Sequence, residues 1–78
     1  MSILRETKRR ILVELKARGL HGYDLAKRLN IPITGIYQHL RDLADVGLIV
    51  SQNEGRRRVY SLTKKGQALL MILEQNDK

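Results

Sequence analysis

Apolar residues recur with helical spacing in the first part of the chain. The positions concerned are Leu4, Ile11, Leu12 and Leu15. Because a helix has about 3.6 residues per turn, these four side chains fall on one side of it. The pattern therefore predicts a first helix over residues 3–18.

Two shorter helices follow, over 22–30 and 32–46. Their core positions are Leu25, Ala26 and Leu29 in the first, and Ile36, Leu40 and Leu43 in the second. Pro32 suits the first turn of a helix because its missing N–H would not be bonded there, and Thr34 is a competing N-cap. Gly47 is suited to end the second of these helices.

The spacing then changes to that of β-strands. Residues 48–52 and 57–62 are rich in β-branched and apolar side chains, and a glycine-containing turn separates them. This arrangement predicts a hairpin over 48–62. Thr63 then suits the N-cap of a last helix, over 63–76.

The order of these elements is that of a winged helix-turn-helix, a mainly α fold with a small β-hairpin (α+β). The chain has 78 residues and no cysteine, so we expect one domain over 1–78 without disulfides or thiolate zinc sites. Its two histidines cannot build a structural metal site, and we predict no metal and no cofactor. A chain this small buries only about 60% of its unfolded surface, which favours oligomerisation.

Charge is unevenly distributed along the chain, whose net charge is +7. Residues 1–20 carry six bases and two acids, and residues 48–66 carry five bases and one acid, whereas residues 21–47 are neutral. The three consecutive arginines at 56–58 repel one another unless an anion lies nearby. The charge therefore indicates a polyanionic partner.

The hydropathy pattern predicts no membrane partner. The sequence has no run of 18 apolar residues and no apolar signal segment near its N-terminus. We expect a soluble, cytoplasmic protein associated with the nucleoid.

Three motifs resemble those of known regulators. LHGYDLAKRL at 20–29 looks like the HGY opening of PadR-like transcriptional regulators. Apolar residues and Gly47 within 36–49 resemble the third-helix signature shared by the PadR, MarR and ArsR families. RRRVYSLTKKG at 56–66 is similar to the wing and following helix of the same proteins. The resemblance covers roughly residues 11–70 and implies a regulator that binds double-stranded DNA.

The third helix carries the candidate base-reading residues. In a helix-turn-helix, this recognition helix lies in the major groove. Gln38 can bond adenine through two hydrogen bonds, Arg41 can reach guanine or phosphate, and Thr34 can contact either. Gly35 would let the backbone approach DNA closely. Tyr37 is either a core residue or a phosphate or sugar contact, and an ordinary solvated face is the alternative for Gln38 and Arg41.

The wing carries the candidate phosphate contacts, Arg56, Arg57 and Arg58. Side chains alternate along a strand, so Arg57 and Arg58 point to opposite faces. We expect Arg56 and Arg57, near the tip, to reach the minor groove or its phosphates, and Arg58 to lie closer to the body. Affinity for DNA comes mainly from such neutralised phosphates.

The last helix predicts a homodimer, because six consecutive apolar residues at 68–73 cover all its sides. The expected inward face consists of Leu69, Ile72 and Leu73. The expected dimer interface consists of Ala68, Leu70 and Met71, joined by Leu4 of the first helix. A two-fold dimer would bind a palindromic DNA site with half-sites roughly 34 Å apart. The alternative is that the first helix covers this surface within the monomer.

The pattern as a whole predicts a sequence-specific transcriptional regulator. Two alternatives remain, a non-specific architectural DNA-binding protein and a winged-helix protein-interaction module. An enzyme is not expected, since the sequence has no cysteine nucleophile, no glycine-rich phosphate loop and no paired carboxylates. No small-molecule effector is evident.

Overall fold

The computed structural model describes residues 6–76 as four helices and a three-stranded sheet. In chain order the elements are α1 (Glu6–Ala17), β1 (Leu20–His21), α2 (Gly22–Leu29), α3 (Ile33–Asp45), β2 (Ile49–Glu54), β3 (Arg57–Leu62) and α4 (Lys64–Gln75). This order confirms the predicted winged helix-turn-helix. The hairpin formed by β2 and β3 is called the wing.

The sheet has the order β1-β3-β2, and both pairings are antiparallel. The short strand β1 was not predicted, because two residues are too few to show alternation. It forms only through pairing with β3, where Leu20 lies opposite Tyr60 and His21 opposite Val59. This pairing holds the start of α2 beside the wing.

Local signals set several helix ends, at Gly47 and Thr63 as expected. Asn30 follows α2 in the left-handed conformation, with φ 56°. Gly47, with φ 78°, follows α3, and the N–H groups of Gly47 and Leu48 donate to the carbonyls of Ala44 and Leu43. This pair of bonds is a Schellman motif. At the start of α4, the hydroxyl of Thr63 accepts a hydrogen bond from the Gly66 N–H at 3.0 Å.

One hydrophobic core joins the helices to the sheet. Its buried residues are Ile11, Leu12, Leu15, Leu20, Leu25, Ala26, Leu29, Ile36, Leu40, Leu43, Leu48, Ile49, Tyr60 and Leu70. Each helix contributes to this list, so α3 is fixed relative to the wing by shared packing rather than by loops.

The face of α4 that packs inward differs from the prediction. Leu70 is only 2% exposed and belongs to the core, whereas Ile72 is 53% exposed. The inward side contains the buried Gly66 and Leu70, one turn apart, and Leu69, which was predicted to face inward, packs partly against the core. An uninterrupted apolar run has no polar side to set the orientation of the helix, so the sequence pattern placed Leu70 and Ile72 on the wrong faces.

Candidate nucleic-acid interface

The outer face of α3 is polar and exposed. The core side of the helix consists of Ile36, Leu40 and Leu43. Helical geometry turns Thr34, Gln38 and Arg41 away from that side, and all three are exposed. Gly35 is half-buried on the flank. The structure thus brings the predicted base-reading residues onto one surface.

A groove, the α3–wing groove, runs between the recognition helix and the wing. Tyr37 and Arg41 line it from α3, and Arg58 and Ser51 line it from the strands. Arg58 and Tyr60 are two positions apart on β3 and therefore share a face of the sheet, which directs Arg58 toward α3. An arginine of the wing and an arginine of the recognition helix consequently border one concave surface.

A second groove, the α2–wing groove, lies on the other side of Tyr37. His21–Asp24 line it at the start of α2, and all three wing arginines line it from the hairpin. Tyr37 lines both grooves and is 46% exposed, so it is neither a core residue nor a fully solvated one. The ring of Tyr37 therefore connects the outer face of α3 to the basic wing.

Tyr23 is an interface candidate that the sequence interpretation missed. It lines the α2–wing groove and is 57% exposed, and the ammonium of Lys27 lies 5.4 Å from its ring centroid. A cation over an aromatic face is a favourable contact. The available signal was the HGY motif itself, which places an aromatic residue directly at the start of a helix.

The tip of the wing is a two-residue turn. Glu54 pairs with Arg57 across the hairpin, which leaves Gly55 and Arg56 as the connection. Gly55 has φ 65°, as the first central residue of a tight hairpin turn requires. Arg56, Arg57 and Arg58 are all exposed. β2 extends to Glu54, two residues farther than its sequence pattern indicates, so the wing projects as a short ribbon.

His21 contacts both the helix start and the wing tip. Its Nδ1 lies 3.3 Å from Oδ2 of Asp24, and its Nε2 lies 3.8 Å from Oε1 of Glu54. The Nε2 atom is buried and has no hydrogen-bond partner. The imidazole is therefore enclosed between α2 and the hairpin, where it helps to define the α2–wing groove.

A polar network joins α3 to α1. Gln38 Nε2 donates to Oδ1 of Asp42 at 3.0 Å, and the ammonium of Lys8 lies 3.2 Å from Oδ2 of the same carboxylate. Lys8 also lies 3.0 Å from Nδ1 of His39. Hydrogen bonds from Lys8, and next from Gln38, hold the pKa of Asp42 below its ordinary value of 3.8. The carboxylate is thus charged at neutral pH.

The outer side of α4 carries three exposed apolar residues among polar ones. Ala68 is exposed, as are Met71 at 60% and Ile72 at 53%. Leu70, predicted as an interface residue, is buried within the chain and is not available to a partner. Leu4 lies outside the described residues. Ala68, Met71 and Ile72 together are called the α4 outer face.

The part of the chain that the structure describes shows neither a metal cluster nor a membrane span. No group of three or more His, Cys, Asp or Glu side chains within residues 6–76 could hold a metal ion. None of the helices over the same residues is long and apolar enough to cross a bilayer.

Comparisons with solved structures identify winged-helix regulators as similar proteins. Reduced HlyU from Vibrio cholerae N16961 is 26% identical, with a TM-score of 0.82 over 94% of this chain and 78% of that one. A mutant of MepR from S. aureus is 26% identical, with a TM-score of 0.89 over 92% of this chain. This chain spans only 57% of the MepR chain.

A third solved structure has a higher sequence identity. It is described as a possible transcriptional regulator for arsenical resistance, and it is 33% identical, with a TM-score of 0.75 over 90% of this chain and 73% of that one. A search of curated proteins gave no match.

Residues 11–72 match the transcriptional regulator PadR-like family. The match includes the HGY segment, the recognition helix and the wing, which are the segments whose motifs resemble that family. Such regulators are not enzymes, in agreement with the sequence-based expectation. The chain therefore has a winged-helix fold and belongs to the transcriptional regulator PadR-like family.

Proposed function

We propose that this protein binds specific double-stranded DNA sites as a homodimer, with α3 in the major groove and the wing on the backbone or in the minor groove. The observation that carries the proposal is the position of Tyr37. It lies between Arg41 of α3 and the three wing arginines, so a base-reading residue and the phosphate-binding residues border adjoining grooves.

The base-reading part consists of Thr34, Gln38 and Arg41. The major groove of B-DNA is about 12 Å wide and admits a helix, and each base pair presents a distinct set of donors and acceptors there. Gln38 matches adenine, and Arg41 matches guanine or a flanking phosphate. Gly35 adds no side chain to the flank, which allows close approach of the backbone.

The phosphate-binding part consists of Arg56, Arg57 and Arg58 with two tyrosines. Arginine neutralises phosphate charge, and the counterions that DNA then releases supply most of the non-specific affinity. Tyr23 and Tyr37 line the same groove, and tyrosine hydroxyls can donate to phosphate oxygens. These contacts position the protein on the duplex, while α3 reads the sequence.

The α4 outer face supports dimerisation. Its residues Ala68, Met71 and Ile72 present apolar surface to water, and such patches commonly mark interfaces. A two-fold dimer would place two copies of α3 roughly 34 Å apart on a palindromic site. In this proposal the protein acts at the nucleoid in the cytoplasm.

Binding-site selection from random duplexes, followed by footprinting, tests the proposal. We expect the wild-type protein to enrich a palindromic motif, and Gln38→Ala or Arg41→Ala to change the selected bases. Retention of DNA without enrichment of any motif would instead identify a non-specific architectural protein. Failure to retain DNA at all would favour a protein-interaction module.

A further inference from the structure

The Lys8–Asp42–Gln38 network lies at the edge of the proposed base-reading surface. Gln38 is exposed on the outer face of α3, while Asp42 is one turn further along the helix and 43% exposed at its side chain. Lys8 reaches this carboxylate from α1, and its own side chain is only 18% exposed. The lysine is thus held by packing, and its ammonium anchors Asp42 in place.

The network fixes the orientation of the Gln38 side-chain amide relative to Asp42. A charged carboxylate accepts hydrogen bonds and donates none, so Nε2 and not Oε1 must face Asp42. The 3.0 Å bond uses one of the two Nε2 hydrogens. One N–H and the carbonyl Oε1 therefore remain available to DNA, and the positions of this donor and this acceptor relative to α3 are fixed.

That remaining pair of groups distinguishes the two purines. Adenine presents the N7 acceptor next to the N6 donor, whereas guanine presents two acceptors, N7 and O6. An amide with one free N–H and one free carbonyl satisfies both groups of adenine. Against guanine, Oε1 would face O6, and two acceptors would be brought together.

We infer that Asp42 and Lys8 are specificity-determining positioning residues, which orient Gln38 to select adenine over guanine. This inference rests on the proposed function. Neither residue needs to contact a base. Asp42 sets the direction of the amide, and Lys8 holds Asp42 while offsetting the repulsion between its carboxylate and nearby phosphates.

The test uses duplexes based on the motif that the wild-type protein selects. The position read by Gln38 is identified as the one at which the Gln38→Ala variant no longer prefers a particular base pair. Dissociation constants are then measured for two duplexes that differ only by adenine or guanine at that position. A bidentate contact predicts a wild-type preference for adenine of roughly 5- to 140-fold.

Asp42→Asn and Asp45→Asn form a matched pair of variants. Asp45 is an exposed acid on the same helix, and its side chain has no hydrogen bond or ion pair with any residue in 6–76. Both substitutions remove one negative charge, so both should strengthen binding to all duplexes. Only Asp42→Asn frees the Gln38 amide to rotate, and we expect it to lower the adenine preference at least about threefold.

Lys8→Met tests whether Lys8, which lies on α1, affects the base preference through Asp42. This substitution removes a positive charge near DNA. It should therefore weaken binding to every duplex, both in the wild-type protein and in the Asp42→Asn variant. If Lys8 acts through Asp42, Lys8→Met lowers the adenine preference in the wild-type protein but causes no further loss in the Asp42→Asn variant. Circular dichroism checks that each variant retains its helices.

Three outcomes overturn the inference while leaving sequence-specific binding intact. They are an unchanged adenine preference in Asp42→Asn, an equal loss in Asp45→Asn, and a Gln38-dependent position that selects a base other than adenine. A wild-type protein that selects no motif overturns the proposed function and this inference together. Additive losses for Lys8→Met and Asp42→Asn remove Lys8 from the mechanism.

Discussion

Gly22 lies directly against the ring of Tyr37. A β-carbon at position 22 would be 2.7 Å from Cε1 of the tyrosine, closer than two carbon atoms can approach without displacement. The missing side chain at the start of α2 therefore lets the recognition-helix tyrosine pack between the two grooves. The glycine of the HGY motif contributes to the shape of the proposed DNA-binding surface.

Gly22→Ala should therefore weaken DNA binding more than it weakens folding. Overfilling a packed site costs about 1–3 kcal/mol. We expect the lower end because Tyr37 is 46% exposed, which leaves room for its ring to rotate away. The rotation removes Tyr37 from its position between the grooves. Urea denaturation and fluorescence anisotropy with labelled duplex measure the two effects.

Gly35→Ala is the matched control for stability. A β-carbon there would meet only Cγ2 of Ile31 at an ordinary 3.7 Å, and alanine within a helix is favoured over glycine by about 0.5–1 kcal/mol. This variant should be at least as stable as the wild type. Equal free energies of unfolding for Gly22→Ala and Gly35→Ala would contradict the packing argument.

Much of this architecture could be predicted because apolar residues recur with different spacing in helices and in strands. The hydrogen bonds that cap a helix also join residues close together in the sequence. Thr63 and Gly47 mark helix ends through bonds to residues three to five positions away. The pairing of His21 with Val59 and the contact between Lys8 and Asp42 join distant parts of the chain. No local pattern encodes such contacts, which is why β1 and the anchoring of Asp42 by Lys8 emerge only from the structure.

Arg57→Ala should weaken specific and random duplexes by a similar factor. Loss of one phosphate contact lowers the slope of log affinity against log salt by about 0.9. Arg18→Ala is the control, since Arg18 is an exposed arginine that lines neither wing groove. Anisotropy titrations over a range of salt concentrations measure both slopes. An unchanged slope for Arg57→Ala would show that this arginine does not contact the backbone.

The carboxylate of Asp42 should titrate below pH 3.8, because hydrogen bonds from Lys8 and Gln38 stabilise its charged form. A lowered folded-state pKa stabilises the fold above the unfolded pKa, and this contribution is lost as pH falls through the folded value. Lys8→Met should raise the pKa of Asp42. Carbon-detected NMR titration of the side-chain carboxyl measures the midpoints. Identical midpoints in the two proteins would rule out the Lys8 contact in solution.

Ile72→Glu should dissociate the proposed dimer, because it places a charge on the apolar α4 outer face. Val50→Glu provides the control, since Val50 is similarly exposed, at 50%, but lies on the wing. Sedimentation equilibrium should give twice the 9.0 kDa chain mass for the wild type and Val50→Glu, and a single chain mass for Ile72→Glu. A wild-type protein that remains a 9.0 kDa monomer over a concentration series would refute the dimer.

Competition between two duplexes is the sharpest test of sequence-specific DNA binding by this protein. The dissociation constant for the selected palindrome is compared with that for a scrambled duplex of the same length and composition, at one fixed salt concentration. Specific binding predicts a ratio of at least about 10³ in favour of the palindrome. Equal dissociation constants for the two duplexes would show that the protein does not recognise a specific DNA sequence.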